Sequence, residues 1–372
     1  MTLLLNDDQR EFQHTLRAVF EKHADSKRVR AVQAAGGDFD REAWAALIEL
    51  GATATLIPEE FDGLGLGLTE ASLVLEEAGL AIAPVPLYSA ILGAAAINAT
   101  SDDALKAELL AKIAAGEVLV ALAFTEAADA WIPTRPSVTA EGSAVTGTKT
   151  FVRDGQFADY LLVLTASGLV LVDANADGVT RTPLGVLDAS VFAARVEFAG
   201  AAGRAVATAD LDAFLTEVDA IASVLLAAGQ YGAYKRELEI TTQYAKDRFQ
   251  FGRSIGSFQG VKHPLAEWAM ETELAYGILR SATSLGDAGS ADFVLEALTA
   301  QVKLQAISYA GGAWMARLHG AAAGHARQPY GAVGDCPRDL VRDAERARSA
   351  VTGPVLRCYY LLLCGSAATR AR

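Results

Sequence analysis

Residues 244–266 contain the side chains of this chain that are best suited to holding a ligand. Arg248 offers a planar fork of donors that matches a phosphate group. Gln259 can both donate and accept a hydrogen bond, as recognition of a carbonyl or an amide edge requires. Gly252 permits a close approach of the backbone to a ligand. A salt-bridged arginine at a plain elbow would explain any one of these residues alone, but the group together predicts a binding turn.

The local pattern predicts that this turn joins two helices. Helical spacing holds up to Asp247 and is then broken by the residues that follow it. Gly256 and Ser257 are typical of a helix cap, and a second helix is expected to begin near Phe258.

The order of residues across this turn resembles the signature of the acyl-CoA dehydrogenases. The pattern R-x-Q-F-G-x-x-I-x-x-F-Q-x-x-x-x-x-L-A is matched by Arg248, Gln250, Phe251, Gly252, Ile255, Phe258, Gln259, Leu265 and Ala266. The resemblance implies FAD as the cofactor. It further implies that the turn grips the pyrophosphate and adenine end of FAD, largely the FAD of a neighbouring subunit.

Composition and charge argue against several other classes of protein, namely nucleic-acid-binding, membrane-spanning, secreted and metal-binding proteins. The chain has 372 residues, 52% of them hydrophobic, and a formal net charge of −13, which argues against nucleic-acid binding. No apolar run is long enough to span a membrane, and the acidic start is unlike a secretory signal. The cysteines lack metal-ligand spacing and indicate a reduced compartment: Cys336, Cys358 and Cys364. We expect a cytoplasmic protein without a metal site.

The hydrophobic pattern of the sequence changes twice along the chain. Helical patterns fill residues 1–116, short alternating or apolar runs fill residues 117–206, and alanine-rich helical patterns fill residues 207–372. The predicted fold is therefore α+β, with an N-terminal helical domain, a central antiparallel β-barrel or sandwich, and a C-terminal four-helix bundle. This α–β–α order is also what the resemblance implies.

Within the first segment, the apolar spacing predicts one amphipathic helix over residues 6–34. Asp40 is expected to cap the next helix, which Gly51 ends. The glycines at 63, 65 and 67 lack the spacing of a dinucleotide-binding loop, so we predict a mobile loop before a helix over residues 69–79. That loop resembles the P-E-E-[YF]-G-G-x-G-x loop of the family, with Asp62 in place of its first glycine.

Two motifs that contact the flavin ring in the family are only partly kept. Thr125 and Glu126 match the start of T-E-P-x-x-G-S-D, but the glycine, serine and aspartate that follow are absent. In K-x-[WF]-[IV]-[TS]-[NG]-[AG], Phe151 holds the aromatic position, while Arg153 replaces the hydroxyl residue. The resemblance implies that Thr125 and Phe151 remain as contacts at the ring end.

A third contact, Q-x-x-G-G-x-G in the family, is degraded in either of two registers. One places His319 and Gly320 at the motif and loses its glutamine. The other places Gln328, Gly331 and Gly334 there, with an insertion before them and a shortening after them. We favour the second register.

The catalytic base is missing at both positions that the family uses. Dehydrogenation of an acyl-CoA needs a carboxylate to take the α-proton while the flavin accepts a hydride. The resemblance places Thr352 and Ala222 at those positions, and neither can act as a base. Asp219 and Glu217 lie nearby and are the candidates for a displaced base, although acidic residues near a helix start are usually dipole partners.

Three functions are compatible with this pattern. The first is the degenerate, non-catalytic subunit of an α2β2 acyl-CoA dehydrogenase, resembling the heteromeric members of the family from actinobacterial steroid side-chain oxidation. Such a chain keeps the turn that serves a partner's FAD and shares the acyl-CoA site. The second is a self-sufficient flavoenzyme with a displaced base, and the third is a redox-inactive binding or scaffold protein.

Overall fold

The computed structural model describes residues 3–126, 131–186, 188 and 190–320. The helices that precede the strands are α1 (Asp7–His23), α2 (Ser26–Ala35), α3 (Arg41–Glu49), α4 (Leu68–Ala81), α5 (Leu87–Asn98) and α6 (Asp103–Ala114). None of the described helices is long and apolar enough to cross a bilayer.

The first helical segment differs from the single helix predicted over residues 6–34. α1 ends at His23, and α2 starts two residues after Ala24, because the Asp25 carboxylate accepts the backbone N–H groups of Lys27 and Arg28. A carboxylate that caps a new helix stabilises a break that apolar spacing alone does not reveal. The predicted cap at Asp40 is confirmed, since its carboxylate accepts two N–H groups of the first turn of α3.

α4 is capped by a residue from far along the chain. The carboxylate of Asp287 accepts the N–H groups of Leu68 and Thr69, and the Thr69 hydroxyl donates to it at 2.6 Å. A Cβ atom at Gly67 would overlap that carboxylate. The end of the predicted glycine-rich loop is therefore fixed by Asp287, and a glycine is needed there for space.

Seven strands form the central sheet: β1 (Val120–Ala123), β2 (Thr139–Glu141), β3 (Ala144–Arg153), β4 (Tyr160–Thr165), β5 (Gly168–Asp173), β6 (Val179–Pro183) and β7 (Ala193–Val206). Their order is β1-β4-β5-β7-β3-β2, and β6 pairs with β7. β1 and β4 are parallel, whereas the other pairs are antiparallel. The predicted α+β fold with a central β domain is confirmed, and the sheet departs from the antiparallel prediction only at β1, which pairs in parallel with β4.

The core of this sheet is built from small and branched residues, among them Val145, Leu161, Val172 and Val196. α5 is buried on all sides and packs against β1, where a Cβ atom at Gly93 would overlap the carbonyl of Val120. This close approach brings the start of α5 into the same compact unit as the sheet. α5 also contacts the end of β3, through Tyr88 and Ser89.

Long helices follow the sheet: α7 (Leu211–Asp247), α8 (Gln259–Asp287) and α9 (Phe293–His319). α7 and α9 run in the same direction, since Ser223 bonds Gln301 near one end and Thr241 bonds His319 near the other. α4 crosses α7 so closely that Cβ atoms at Gly79 and Gly232 would overlap backbone carbonyls. This packing fits the predicted helical bundle.

The chain forms two compact units. One contains residues 3–52, 66–85 and 219–320, which hold α1–α4 and most of the long helices. The other contains residues 53–65 and the described part of 86–218, which hold α5, α6 and the sheet. The boundaries of the three domains predicted from the sequence remain a prediction.

Candidate functional site

The turn after α7 is a two-residue β-hairpin. β8 (Phe249–Gln250) pairs antiparallel with β9 (Arg253–Ser254), and Phe251 and Gly252 form the connection. Both connecting residues have positive φ, 53° and 78°. This combination is that of a type I′ turn, whose twist matches the flanking strands. The predicted break of the helix is present, and its form is a hairpin.

Gly252 serves the backbone of this hairpin. Its φ of 78° is costly for any residue with a side chain, whereas a Cβ atom there would meet nothing within 4 Å. Conformation and not space therefore explains this glycine within the chain. The predicted close approach of a ligand to Gly252 remains a prediction.

The hairpin presents its side chains to the outside of the chain. Phe251 is 92% exposed and Phe249 is 64% exposed. Arg248, Gln250 and Gln259 are exposed as well. Among the described residues, the Arg248 guanidinium has no hydrogen-bonding or ionic partner, while the side-chain amide of Gln250 donates to the carbonyl of Phe249 at 2.6 Å.

Two exposed side chains of the hairpin, Arg253 and Phe251, pack against the ring of Phe258. The Arg253 guanidinium lies 4.0 Å from its ring centroid, and the Phe251 ring packs edge-on with centroids 6.3 Å apart. These contacts pre-order a cationic and aromatic surface, which is the chemistry that binds a phosphate next to a planar ring system.

The start of α8 differs from the prediction. Phe258, and neither Gly256 nor Ser257, is the N-cap residue, and the Ser257 hydroxyl donates to the carbonyl of Ser254 at 2.7 Å. Gly256 lies against α7, where a Cβ atom would sit 2.9 Å from the carbonyl oxygen of Ala245. The glycine therefore allows α7 and the hairpin to pack closely, and the predicted cap was wrong.

The last turns of α7 are held by α9. The Thr241 hydroxyl lies 3.1 Å from Nε2 of His319, and the rings of Tyr244 and His319 are 4.3 Å apart. Burial lowers the pKa of His319. One of the two registers for the Q-x-x-G-G-x-G motif uses His319. In the structure this side chain packs against α7 within the chain. Gln328 and Gly331, which the second register uses, lie outside the described residues.

The predicted flavin-ring contacts lie after β1 and near the end of β3, and the polar groups of Thr125 there form hydrogen bonds within the chain. Thr125 is buried, and its hydroxyl donates to the carbonyl of Trp131 at 3.1 Å. The carbonyl of Thr125 accepts the N–H of Thr150 at 2.8 Å. This bond places Thr125, two residues after the end of β1, beside β3 at the residue before Phe151. That Thr125 and Phe151 contact a flavin ring remains a prediction.

A buried ion pair lies next to Thr125. Nζ of Lys149, which is fully buried, donates to the Glu126 carboxylate at 2.7 Å and to the carbonyl of Phe124 at 3.0 Å. Burial alone would raise the pKa of Glu126, but the bonds from Lys149 and Ser137 lower it to about 2. Glu126 is therefore ionised near neutral pH and bonds within the chain. Sequence reasoning missed the pairing of Glu126 with Lys149, because the two residues lie 23 positions apart in the chain.

The end of β3 adopts an unusual conformation. Phe151 has φ of 50° and Asp154 has φ of 54°, both in the left-handed region. Arg153, which stands where the family has a hydroxyl, places its guanidinium 4.4 Å from the ring centroid of Tyr88 on α5. A large cation thus fills the position of a small donor and stacks on a ring of its own chain.

The sequence predicts two positions for the catalytic base, Ala222 and Thr352, and this assignment remains a prediction. Ala222 is 2% exposed and lies next to Ser223, whose hydroxyl donates to Gln301 at 2.9 Å. Asp219 is half-buried, and burial raises its pKa. Glu217 is exposed, and Thr352 lies outside the described residues.

Comparisons with known proteins agree with this architecture. Residues 6–117 match the acyl-CoA dehydrogenase N-terminal domain, and residues 221–345 match the acyl-CoA dehydrogenase C-terminal domain. The described parts of the two matches, residues 6–117 and 221–320, are mostly helical. They define a flavoprotein oxidoreductase of mostly helical fold with a central sheet.

Individual relatives extend the match across most of the chain. Acyl-CoA dehydrogenase IpdE2 of Mycolicibacterium smegmatis is 31% identical over 313 residues, which are 83% of this chain and 88% of that relative. Acyl-CoA dehydrogenase FadE27 of Mycobacterium tuberculosis is 34% identical over 238 residues, 62% of each chain. The chain therefore belongs to the acyl-CoA dehydrogenase family.

Solved structures share the fold. The chain superposes on a variant of the steroid ACAD Tcur3481-Tcur3483 with a TM-score of 0.77 and 29% identity, over 94% of this chain and 99% of that one. It superposes on the ChsE4-ChsE5 complex from Mycobacterium tuberculosis with a TM-score of 0.80 and 24% identity, over 94% and 99% of the two chains.

Proposed function

We propose that this chain is the FAD-binding but non-catalytic subunit of a heteromeric acyl-CoA dehydrogenase, an α2β2 assembly that forms an α,β-unsaturated acyl-CoA. The single observation that carries the proposal is the contrast between an intact, outward-facing Arg248 hairpin and the absence of a base at Ala222. Thr352, at the family's other base position, is also unable to take a proton. The chain thus retains what a partner's flavin would need.

The hairpin supports the proposal because its conformation is costly without an external partner. A phenylalanine in the left-handed region, 92% exposed, contributes strain and exposed apolar area but little packing within the chain. A contact with another molecule would offset that cost. We propose that Arg248 binds the pyrophosphate of FAD and that Gln259 bonds toward its adenosine side.

The remaining contacts are assigned from the resemblance. At the hairpin, Gln250, Phe251, Gly252 and Phe258 are proposed to line the dinucleotide. At the ring end we propose Thr125 and Phe151, with Gln328 and Gly331 completing the site. The exposed, cationic donor set at the hairpin fits a pyrophosphate. The ring end fits less well, since Arg153 has replaced the hydroxyl and stacks on Tyr88.

In the proposed reaction, the cofactor, this chain and the partner subunit have different roles. When bound, FAD supplies the acceptor for the β-hydride of the acyl-CoA. This chain's residues bind and orient that cofactor, and the α-proton is taken by a glutamate of the partner subunit. One similar structure is that of a steroid ACAD named for two components, Tcur3481 and Tcur3483. We therefore propose an unlike partner chain and a steroid side-chain acyl-CoA as the substrate class.

Stoichiometry tests the proposal. The chain should be expressed alone and together with the product of the neighbouring reading frame, the candidate for the catalytic partner. Alone it should be insoluble or nearly colourless, and with the partner it should purify as a yellow complex. A yellow chain with about one FAD per subunit in the absence of a partner would instead indicate a self-sufficient flavoenzyme. A soluble, colourless chain indifferent to the partner would indicate a redox-inactive scaffold.

A second candidate, the self-sufficient enzyme with a displaced base, is favoured by one observation. Burial raises the pKa of Asp219, and a raised pKa is the direction that a general base requires of a carboxyl. Asp219→Asn in the complex should leave turnover within a few-fold of wild type if the chain is non-catalytic. Glu217→Gln, on the exposed side of the same turn, is the matched control. A fall of about 10²–10⁴ in rate with Asp219→Asn, FAD still bound, would establish the displaced base.

A further inference from the structure

The end of β3 is held in a conformation that its own residues do not favour. Phe151 and Asp154 both have left-handed backbone, and the pairing of β3 with β7 shifts register between Lys149 and Val152. Left-handed φ is disfavoured for an aromatic residue, because its Cβ crowds the backbone. Such outliers persist where the surroundings fix them, and they cluster at functional sites.

The surroundings that fix this turn come from α5. The Ser89 hydroxyl donates to the Asp154 carboxylate at 2.7 Å and also approaches the carbonyl of Arg153 at 3.2 Å. Ser89 is 5% exposed and Asp154 is 3% exposed, so water does not compete for these bonds. Tyr88 precedes Ser89 on α5, and the Arg153 guanidinium stacks on its ring.

Backbone bonds complete the turn. The N–H of Asp154 donates to the carbonyl of Phe192 at 2.8 Å, and the carbonyl of Asp154 accepts the N–H of Phe157 at 2.9 Å. The N–H of Gly155 donates back to the carbonyl of Val152 at 3.1 Å. Asp154 is therefore the residue at which the side-chain contact with α5 and the turn's own backbone bonds meet.

Burying a carboxyl here has a cost that stability alone does not explain. Desolvation raises the pKa of Asp154 to about 6, opposed by Arg153 and by the bond from Ser89. An apolar or amide residue would avoid that cost. The carboxyl lies at a turn three residues from Phe151, which is the aromatic position of the flavin-ring motif, and it stands where that motif has asparagine or glycine.

We propose that Ser89 and Asp154 form a clamp that positions Phe151, and that this clamp sets how the Phe151 ring is presented to the flavin-ring end of FAD. The inference rests on the proposed function in one respect, the assignment of Phe151 as a flavin contact. Ser89 and Asp154 touch neither cofactor nor substrate, and they act through the turn.

Three variants, made in the complex with the partner subunit, distinguish the effect of the Ser89–Asp154 bond from the effect of the left-handed backbone at Asp154. Ser89→Ala removes the donor. Asp154→Gly removes the carboxyl and relaxes the left-handed backbone. Asp154→Asn keeps an acceptor for Ser89 and tolerates positive φ, so it is the matched control. The readouts are hydrogen exchange of the backbone amides of residues 150–157, followed by mass spectrometry, and the FAD content of the complex.

We expect Ser89→Ala and Asp154→Gly to speed exchange at Asp154, Gly155 and Phe157 about tenfold, the effect of losing one hydrogen bond. The amide of Thr150, bonded to Thr125, is the internal reference and should be unchanged. Both variants should release FAD more readily than Asp154→Asn. Unchanged exchange in both would overturn the clamp, because the turn would then hold without it.

Arg248→Ala, measured in parallel, separates this inference from the proposed function. If exchange rises in the clamp variants while only Arg248→Ala loses FAD, the clamp does not serve the flavin and the inference fails. If none of the variants loses FAD, the proposed function itself fails. A loss of FAD in Asp154→Asn equal to that in Ser89→Ala would also count against the clamp, since the control keeps the bond.

Discussion

The hairpin after α7 and the end of β3 carry two parts of the same family pattern, and they differ in where their side chains point. At the hairpin the motif is complete and its groups face outward, with Arg248 exposed and Phe251 92% exposed. At the end of β3 the motif is altered, and its groups bond within the chain through Lys149, Asp154 and Arg153.

This difference suggests how residues that serve an external ligand can be told from residues that serve the fold of their own chain. Residues that are exposed yet conformationally costly need an external contact to account for them. Residues that form bonds within the chain contribute to folding, whether or not they also position a group that contacts the cofactor. Changes at the hairpin should therefore reduce binding without reducing stability, and changes that remove an internal bond at the end of β3 should reduce stability as well.

The largest effect is expected at Lys149. Lys149→Met leaves the Glu126 carboxylate in a largely buried position without its charged partner. Breaking such a pair costs about 3–5 kcal/mol of the free energy of unfolding. Chemical denaturation of the chain, alone or in the complex, measures this.

The exposed pair Arg195–Glu197 on β7 provides the control. Arg195→Met should change the free energy of unfolding by less than about 1 kcal/mol. Equal effects of the two substitutions would show that the interior of the sheet is not organised by the Lys149 pair.

Asp154 should make stability depend on pH. Its pKa is about 6 in the folded chain and near 3.8 when unfolded, so the folded state binds more protons between those values. Stability is therefore lost as pH rises from about 4 to 6, by up to about 3 kcal/mol. Asp154→Asn should be near neutral at pH 4 and stabilising at pH 8. A pH-independent effect of this substitution in thermal melts would mean that the carboxyl titrates normally.

The smallest effect on stability, opposite in sign to the effect on binding, is expected at Phe251. Asparagine followed by glycine is favoured in a type I′ turn, so Phe251→Asn should stabilise the hairpin by up to about 1 kcal/mol. The same change should weaken flavin retention in the complex. Phe249→Thr, which removes an exposed ring from an extended position, is the control for the turn effect. If Phe251→Asn destabilised the chain, the ring would have a folding role and the comparison would break down.

The sequence predicted much of this molecule because local rules decide those parts. Helix order, the Asp40 cap and the break before Phe249 all follow from neighbouring residues. The parallel pairing of β1 with β4, the Asp287 cap on α4 and the Lys149–Glu126 pair depend on residues distant in the chain, which no local pattern encodes. The same holds for Ser89 and Asp154, although an aspartate before a glycine at a strand end is a usable signal for left-handed backbone.

Arg248 is the residue on which the proposed function depends most, and flavin retention in the purified complex tests it directly. A charge-assisted bond to pyrophosphate contributes about 1.5–3 kcal/mol, so Arg248→Ala should weaken FAD binding by about one to two orders of magnitude. The melting temperature of the chain should not change, since the guanidinium has no partner among the described residues. Arg253→Ala, in the same hairpin but stacked on Phe258, should have a much smaller effect on FAD. Unaltered FAD binding in the Arg248→Ala complex would contradict the claim that this hairpin holds the cofactor.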